Sequence, residues 1–349
     1  FDEFHERNLD SDLCLALCLQ GRELFREGGD LKLLVMSATL DGDAVASLIG
    51  GSSVLTSKGR QFPVTTHFGR AQQLRDSVVG PTVETVMRAL REQIGSVLVF
   101  LPGQREIRQV QRALGTALRG TDQGDVQLLP LYGNLSLEQQ QRAIQPAPRG
   151  QRKVVLATNI AETSLTIDGV EVVVDSGLAR EPKFDPATGM SRLVLRRISR
   201  ASAEQRQGRA GRLSPGHCYR LWSEEQHGRL VAQSAPEIQQ ADLAPLALQL
   251  LAWGVEEPGE LAWLDPPPAP AFGQAVKLLE VVGAVFSNAT GRHQLTPHGV
   301  RLAQMPLHPR LGHMLLVGCD IHALETACLL AAVMSERNPV SSRGTDIDE

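Results

Sequence analysis

Short, unbroken apolar runs alternate with amphipathic stretches over the first two thirds of the chain. An unbroken run rich in Val and Leu is typical of a strand that is buried on both faces. The stretches between the runs, such as VETVMRALREQI and REIRQVQRALGTAL, have helical spacing. This alternation predicts an α/β fold with parallel sheets, whose functional residues lie in loops after the carboxyl ends of the strands. The runs are LKLLVMSAT (31–39), SVLVFLP (96–102), VQLLPLYG (126–133), RKVVLATN (152–159) and VEVVVDSG (170–177).

The hydrophobic pattern changes at two places. SKGRQFPVTTHFGR (57–70) follows a lone short strand and contains Gly and Pro, so we expect it to connect two domains. After about residue 230 the strand-like runs end, and helical patterns at 236–254 and 272–285 are followed by the hairpin signal SNATGRHQL. Helices followed by a small hairpin are typical of a winged-helix unit, and the pattern of 308–334 is again helical.

Composition narrows the class of protein. A chain of 349 residues is long enough for two or three domains. Its five cysteines are odd in number and scattered, which disfavours a disulfide framework and predicts a reducing, cytoplasmic compartment. The sequence contains no run of about 18 apolar residues, so no membrane partner is expected. The formal net charge of −4 means that any basic surface must be local.

A local basic region does occur at residues 180–220. It contains nine arginines and one lysine against three acidic residues, which favours binding of a polyanion. Within it, GLAREPKFDPATGMSRLVLRRIS has the pattern of two strands joined by a turn rich in Pro and Gly. From the residues alone, a hairpin that contacts nucleic acid and an ordinary surface hairpin are equally good interpretations.

The chain opens with an acidic pair in FDEFHERNLD. An Asp-Glu pair can hold Mg²⁺ through water and can polarise an attacking water molecule. Acidic residues at the start of a helix also serve as caps and complement the helix dipole. Asp2 and Glu3 therefore need a second motif before they indicate catalysis.

A second motif is QRQGRAGR (205–212). It places Arg206, Arg209 and Arg212 at three-residue steps, and Gly208 and Gly211 remove side-chain bulk between them. On a helix, Arg209 and Arg212 would share one face, where two guanidinium groups can clamp a phosphate. The alternative is a solvated basic helix, although two glycines inside such a helix are costly.

Five motifs together resemble those of the DEAH-box helicases of superfamily 2, in the order of that family. Within the family, DEFHER, LYGNLSLEQQQRAI and SERNP resemble the bacterial HrpB type, and the likeness covers nearly the whole chain. It implies RecA-like parallel sheets, the first partial and the second complete, followed by a helical winged-helix and ratchet-like region. The motifs are DEFH (2–5), SAT (37–39), LVFLPGQREI (98–107), ATNIAETSLTIDGV (157–170) and QRQGRAGR (205–212).

The resemblance implies that the chain is divided into four domains or parts of domains. The boundaries lie where the hydrophobic pattern changes. The parts are the end of a first RecA-like domain (1–70), a second RecA-like domain (71–230), a winged-helix-like domain (231–304) and the start of a helical ratchet-like domain (305–349).

The acidic motif implies a catalytic centre for hydrolysis of ATP or another NTP. By resemblance, Asp2 holds the Mg²⁺ shell through water and Glu3 activates the lytic water. His5 couples this centre to the second sheet, through Gln205, which also helps to place the water. Phe4 stands where the family commonly has alanine, and the bulkier side chain should be tolerated if it packs under the helix.

The other motifs imply nucleotide contacts. By resemblance, Arg209 and Arg212 reach the γ-phosphate across the cleft, and Thr166 and Asp168 lie near the nucleotide ribose.

The remaining motifs imply coupling and nucleic-acid contacts. Ser37 and Thr39 would link hydrolysis to movement between domains. Thr158, Asn159 and Gly133 would hold the phosphates of RNA, in a single-stranded loading region. Thr and Asn side chains and exposed amides at loop tips suit a grip on the backbone that does not read bases.

No G-x-x-x-x-G-K-[ST] phosphate-binding loop occurs in the sequence. The nearest stretch, GGSSVLTSKG (50–59), lacks the second Gly before Lys58. In the family this loop precedes the acidic motif, so we expect the chain to begin inside that motif and to be inactive by itself. Three hypotheses stay open: part of a 3′-to-5′ RNA helicase driven by NTP, a non-catalytic nucleic-acid-binding module, and a DNA-directed member of superfamily 2.

Overall fold

The computed structural model describes residues 1–25, 31–38, 42–57, 59, 62–121, 125–148, 150–162, 165–186, 188–288 and 292–335. The described strands are β1 (Val64–Phe68), β2 (Ser96–Phe100), β3 (Val126–Leu131), β4 (Arg152–Ala157), β5 (Val170–Asp175), β6 (Leu178–Asp185), β7 (Met190–Arg197), β8 (Gly216–Arg220), β9 (Val285–Ser287) and β10 (His293–Leu295).

Helices precede, separate and follow these strands. Those in the first part of the chain are α1 (Leu9–Phe25), α2 (Gly42–Leu48), α3 (Val79–Glu92), α4 (Gln104–Leu118), α5 (Leu137–Ile144), α6 (Arg200–Gly208) and α7 (Glu224–Gly228). Those in the last part are α8 (Ala244–Trp253), α9 (Ala269–Val281), α10 (Pro297–Ala303), α11 (Pro309–Asp320) and α12 (Leu324–Ser335). None of the described helices is long and apolar enough to cross a bilayer.

A parallel sheet of six strands, in the order β1-β8-β5-β2-β4-β3, forms the central layer. All five residues of β2 are buried, and so are five of the six in β4 and in β5, as predicted for unbroken apolar runs. Apolar side chains of α3 and α4 pack on one face of the sheet. The predicted α/β class is confirmed.

The apolar run at 31–39 behaves differently from the other four. Residues 31–37 form no strand, and Leu34 and Met36 have 68% and 46% of their surface exposed. Their backbone groups bond to the first residues of the chain instead: the Phe1 amino group donates to Leu34, and the amides of Met36 and Phe4 donate to the carbonyl oxygens of Phe1 and Met36. The prediction of a strand buried on both faces is therefore wrong here, because among the described residues only the short stretch at the start of the chain lies alongside the run.

The segment 57–70, predicted as a connection, contains strand β1. This strand lies at the edge of the sheet and pairs in parallel with β8, from Val64 opposite Gly216 to Phe68 opposite Arg220. The sheet therefore begins before residue 71, where the sequence pattern places the domain boundary.

The predicted hairpin in the basic region is present as the antiparallel pair β6 and β7. Its turn reaches the C-terminal helices: Arg310 of α11 donates a hydrogen bond of 2.7 Å to the carbonyl oxygen of Gly189. Near the end of β6, the Phe184 amide donates to the Gln240 carbonyl. The hairpin thus lies between the sheet domain and the helices.

The C-terminal part is helical and contains the small hairpin of β9 and β10, as expected for a winged-helix-like unit. The helical pattern at 236–254 divides into a 3₁₀ turn (Glu237–Gln239) and α8, and the pattern at 308–334 divides into α11 and α12. The second division occurs at His322, whose φ of 57° is incompatible with a continuous helix.

Helix α1 joins this C-terminal core although it lies far away in sequence. Leu13 and Ala16 of α1 belong to the same buried cluster as Leu246 and Leu250 of α8. The indole of Trp253 donates a hydrogen bond of 2.7 Å to Gln20. The helix that follows the N-terminal motif is therefore held by the C-terminal part of the chain.

Candidate functional site

A cleft of about 1320 Å³ brings together most of the motifs identified in the sequence. Its walls are residues 5–8, the loops after β2, β3 and β4, the hairpin, α6 and residues 233–241. Three of these walls are loops at the carboxyl ends of parallel strands, where the fold concentrates functional side chains.

The predicted nucleic-acid residues share one side of this cleft. Gly133 is exposed and follows β3, while Thr158 and Asn159 follow β4. The Thr158 amide donates to the Leu131 carbonyl at 3.2 Å, which ties the two loops together. Asn159 begins a 3₁₀ turn. Neighbouring β3 and β4 therefore present these three residues together.

Two further polar residues of this wall lie in motifs that carry the resemblance, but the sequence gives them no role. Gln104 is the first residue of α4, and Tyr132 follows β3 directly. The Gln104 side-chain amide donates a hydrogen bond of 3.0 Å to the Tyr132 hydroxyl. A tyrosine after an apolar run gives no distinctive signal, because the same pattern is typical of a strand end.

His5 links the acidic pair to the SAT segment. Its Nδ1 accepts a hydrogen bond of 3.3 Å from the Ala38 amide and lies 3.5 Å from the Glu3 carboxylate. Its Nε2 is buried and has no hydrogen-bond partner among the described residues. His5 and Gln205 both line the cleft, but no hydrogen bond joins them within the described part of the chain. The predicted coupling through Gln205 stays a prediction.

The SAT segment is described only in part. Ser37 is exposed beside Ala38, which contacts His5, whereas Thr39 lies outside the described residues.

Phe4 packs as expected for the bulkier residue at its position. Its side chain is 1% exposed and lies in a cluster with Leu15 and Leu19 of α1. The buried Phe4 side chain therefore fixes the position of the neighbouring acidic pair relative to α1.

The acidic pair has an unusual backbone. Glu3 has a φ of 47° and a ψ of 38°, a left-handed conformation that is uncommon for a residue other than glycine. Asp2 is exposed, and one of its oxygens accepts the Glu3 amide at 2.9 Å. No group of three or more His, Cys, Asp or Glu in the described ranges forms a metal site. One exposed carboxylate fits the mode in which Mg²⁺ is held by water, substrate phosphates and few protein ligands.

The arginine motif does not form one helical face. Helix α6 ends at Gly208, Arg209 is its C-cap, and Arg212 lies beyond it. The expectation that Arg209 and Arg212 share a helix face is therefore wrong. A Cβ at Gly211 would lie 2.6 Å from the Phe62 carbonyl oxygen, so glycine permits the turn to pass against the strand that enters the sheet.

Arg209 and Arg212 differ in their surroundings. Arg209 is 8% exposed, and its guanidinium donates to the carbonyl oxygens of Leu165, at 2.7 Å, and Glu162. Burial lowers the pKa of Arg209 to about 10, helped by the Arg212 charge and opposed by Glu162 and Glu3. Arg212 is exposed and donates a hydrogen bond of 2.7 Å to the Thr166 hydroxyl.

These contacts bring the nucleotide motifs together. Arg209 and Arg212 both contact the loop of Thr166 and Asp168, in which Thr166 and Asp168 are both exposed. Glu3 acts on Arg209 only through its charge, which opposes the lowering of the Arg209 pKa by burial. The direct contacts therefore join two motifs that lie far apart in sequence, ATNIAETSLTIDGV and QRQGRAGR.

Arg206, the first arginine of the motif, is buried inside the domain and pairs with two carboxylates. Its side chain is 1% exposed and forms ion pairs of 2.8 Å with Glu162 and 2.9 Å with Asp175. Its guanidinium also lies 4.8 Å from the centre of the Phe100 ring. Arg206 thus connects α6, β5 and the loop after β4 inside the domain.

Comparison with known proteins agrees with the motifs. Residues 81–214 match the family model described as "Helicase conserved C-terminal domain". The chain is 45% identical over 338 residues to the ATP-dependent RNA helicase HrpB of Escherichia coli, covering 96% of this chain and 40% of that protein. It is 38% identical over 341 residues to the pre-mRNA-splicing factor ATP-dependent RNA helicase prp22 of Schizosaccharomyces pombe, covering 97% of this chain and 28% of that protein.

The chain is also similar to solved structures of helicases. The crystal structure of the E. coli DExH-box NTPase HrpB matches with a TM-score of 0.85 and 43% identity, covering 99% of this chain and 42% of that one. A second crystal structure, of the E. coli DEAH/RHA helicase HrpB, matches with a TM-score of 0.87 and 44% identity, covering 97% and 42%. The predicted resemblance is confirmed, and the chain spans about two fifths or less of the length of these relatives.

Proposed function

Because residues 81–214 form a helicase conserved C-terminal domain in a chain that aligns along nearly its whole length with ATP-dependent RNA helicases, we propose that the chain is the RNA-gripping and arginine-supplying part of such an enzyme. The enzyme couples ATP hydrolysis to 3′-to-5′ movement on single-stranded RNA. The observation that carries this proposal is that Arg209 and Arg212 both donate hydrogen bonds to the loop of Thr166 and Asp168.

In the proposed reaction, the acidic pair and the arginines act on opposite sides of the γ-phosphate. Glu3 accepts a proton from the attacking water, which Gln205 helps to orient. Arg212, already exposed, neutralises the charge that develops on the γ-phosphate oxygens, and Arg209 supports it from the same turn.

Asp2 would hold Mg²⁺ through water, together with the nucleotide phosphates. When bound, this ion neutralises phosphate charge. Thr166 and Asp168 contact the ribose of the nucleotide, and their loop is tied to Arg212.

RNA lies in the cleft, against the loops after β3 and β4. Thr158, Asn159 and the exposed backbone at Gly133 hold its phosphates, and the basic hairpin contacts the strand nearby. His5 lines the cleft and connects the acidic pair to the segment of Ser37, because it contacts both Glu3 and Ala38. With Ser37 and Thr39, it transmits the state of the nucleotide to the RNA.

The four proposed domains are the end of a first RecA-like domain, a second RecA-like domain, a winged-helix-like domain and a ratchet-like domain. The first pairing of the central sheet, β1 with β8, supports a start of the second domain before residue 71. The proposed compartment is the cytoplasm, where the scattered thiols stay reduced.

The decisive experiment is RNA-stimulated ATP hydrolysis by the full-length gene product, with and without Glu3→Gln. We expect the variant to bind ATP but to lose hydrolysis, because the general base is gone. Unchanged turnover would refute the role of Glu3. The 349-residue chain alone has no G-x-x-x-x-G-K-[ST] loop, so we expect it to bind RNA without hydrolysing ATP.

The same assay separates the alternatives. A non-catalytic nucleic-acid-binding module would bind RNA in the full-length product without hydrolysis. A DNA-directed enzyme would be stimulated equally well by single-stranded DNA.

A further inference from the structure

Gln104 and Tyr132 form a polar pair in the RNA-facing wall of the cleft. The Gln104 amide nitrogen donates to the Tyr132 hydroxyl oxygen at 3.0 Å, and both side chains are half-buried. Their neighbours in the wall are Gly133, Thr158 and Asn159, the residues to which the proposed function gives the RNA phosphates.

The pair has one donor and one acceptor left over. The hydroxyl hydrogen of Tyr132 and the side-chain carbonyl oxygen of Gln104 have no partner among the described residues. A tyrosine hydroxyl can donate as well as accept, and a glutamine carbonyl only accepts. The cleft therefore presents a donor and an acceptor that are already oriented by the bond between their own side chains.

The second tyrosine of the chain shows that this arrangement is specific. Tyr219 makes the same kind of bond, accepting from the Gln93 amide at 3.2 Å, but its hydroxyl also donates to the Glu92 carboxylate at 3.4 Å. Tyr219 does not line the cleft. Of the two Gln–Tyr pairs, only the one in the cleft keeps a donor available for a ligand.

A ribose 2′-hydroxyl is the group that complements this arrangement. It can accept from Tyr132 and donate to Gln104, whereas deoxyribose can do neither. A site built to bond a hydroxyl rejects a ligand that lacks it, because the polar groups of the site are left unpaired.

We propose that Gln104 and Tyr132 recognise the 2′-hydroxyl of a nucleotide whose phosphate is held by Thr158 and Asn159, and that this pair gives the site a preference for RNA over DNA. The inference rests on the proposed RNA-binding function and names the group that sets its substrate class. It assigns a specificity role to two residues that the helicase motifs leave without one.

The test measures binding of the 349-residue chain to labelled oligouridylate and oligodeoxyuridylate of equal length, by fluorescence anisotropy without ATP. We expect the chain to bind the RNA about three- to tenfold more tightly, the range of one or two hydrogen bonds. Tyr132→Phe removes the donor and keeps the ring, so it should weaken RNA binding, leave DNA binding unchanged and reduce the preference, because the Gln104 carbonyl can still accept from the 2′-hydroxyl. An oligomer with 2′-O-methyl groups should bind less tightly than RNA, because it has no hydroxyl hydrogen to donate to Gln104.

The matched control is Tyr219→Phe, which should leave both affinities unchanged. Gln104→Ala, which removes the acceptor from the half-buried start of α4, gives a second test that does not depend on the folding of the Tyr132 variant. Thr158→Val should weaken RNA and DNA equally.

Each outcome bears on a different claim. If both Tyr132→Phe and Gln104→Ala keep the preference, or weaken RNA and DNA binding equally, the recognition of the 2′-hydroxyl is refuted while RNA binding stands. If the unmodified chain binds neither oligomer, the proposed RNA-binding function is refuted, and the recognition falls with it.

Discussion

The Arg206 guanidinium and the Glu162 carboxylate form an ion pair of 2.8 Å beneath the loop that contains both candidate RNA and nucleotide residues. Arg206 is 1% exposed, and its second partner, Asp175, is fully buried. The carbonyl of Glu162 meanwhile accepts a hydrogen bond from Arg209. One glutamate thus fixes the loop to two arginines of the same motif, through its side chain and through its backbone.

Replacing Arg206 by methionine should cost about 3–5 kcal/mol of unfolding free energy, because Asp175 would be left as an unpaired buried charge. Urea denaturation measures this change. The control is Arg229→Met, which removes an exposed ion pair with Glu225 and should cost less than about 1 kcal/mol. Similar losses in the two variants would contradict the buried network.

Arg212→Ala should lower RNA-stimulated ATP hydrolysis by the full-length gene product about 10³-fold, the effect of losing an arginine that acts on the transition state. Its stability should not change, because the side chain is exposed. Arg209→Ala should lower both hydrolysis and stability, the latter by about 1–3 kcal/mol, since the carbonyl oxygens of Glu162 and Leu165 lose their donor. Steady-state kinetics and urea denaturation of the same samples distinguish the two roles. Loss of stability in Arg212→Ala alone would reverse the assignment.

Lys153 should make stability depend on pH. Its side chain is 1% exposed, and its ammonium donates to the carbonyl oxygens of Ala143, Ile144 and Gln145 at the end of α5. Burial lowers the pKa of Lys153 from 10.5 to about 8, opposed by Asp168. Between these two values the unfolded chain binds more protons than the folded one, so stability rises with pH from about 8 to 10.5.

The measurement is urea denaturation at several pH values in that window, for the unmodified chain and for Lys153→Met. The difference in unfolding free energy between the two proteins should grow with pH by about 2–3 kcal/mol across the window. Since other groups titrate in both proteins, only the difference is diagnostic. A difference that is constant with pH would show that Lys153 keeps its ordinary pKa.

Gly189→Ala should destabilise the chain by more than the strain of the left-handed backbone at this position alone. Gly189 has a φ of 64°, and a Cβ there would lie 2.4 Å from the Arg310 guanidinium. Gly254, with a φ of 96° and nothing within 4 Å of an added Cβ, is the control for backbone strain. We expect the Gly189 variant to lose about 1 kcal/mol more than Gly254→Ala. The excess should vanish in an Arg310→Ala background, and its persistence there would exclude contact between the hairpin turn and α11.

Local patterns in the sequence predict the centre of the sheet well. The Val- and Leu-rich runs of β2, β4 and β5 contain enough information, because a strand buried on both faces needs only apolar residues. Strand β1 escapes prediction since VTTHF is partly polar, as suits an edge strand, and its place depends on β8. The run at 31–39 has the composition of a central strand but lacks strand neighbours within the described residues.

Local sequence patterns also predict the candidate site only in part. Motif order and spacing point to the acidic pair, the arginines and the Thr158 loop, because the five motifs occur together in the order of the family. The positions of Arg209 and Arg212 depend on the close approach of Gly211 to Phe62. Helical spacing in the sequence does not predict this tertiary contact. The available donor on Tyr132 depends on which of two tyrosines has a carboxylate beside it, and only the three-dimensional structure gives that.

The pairing of β1 with β8 has a consequence for synthesis of the chain. His67 and His217, which meet at the edge of the sheet, are separated by 150 residues. At about 5–20 residues per second, β1 leaves the ribosome roughly 8–30 s before its partner strand exists. The sequence VTTHF, with two threonines and a histidine among its five residues, is suited to that interval, because a partly polar strand associates less readily with other chains than a Val-rich one.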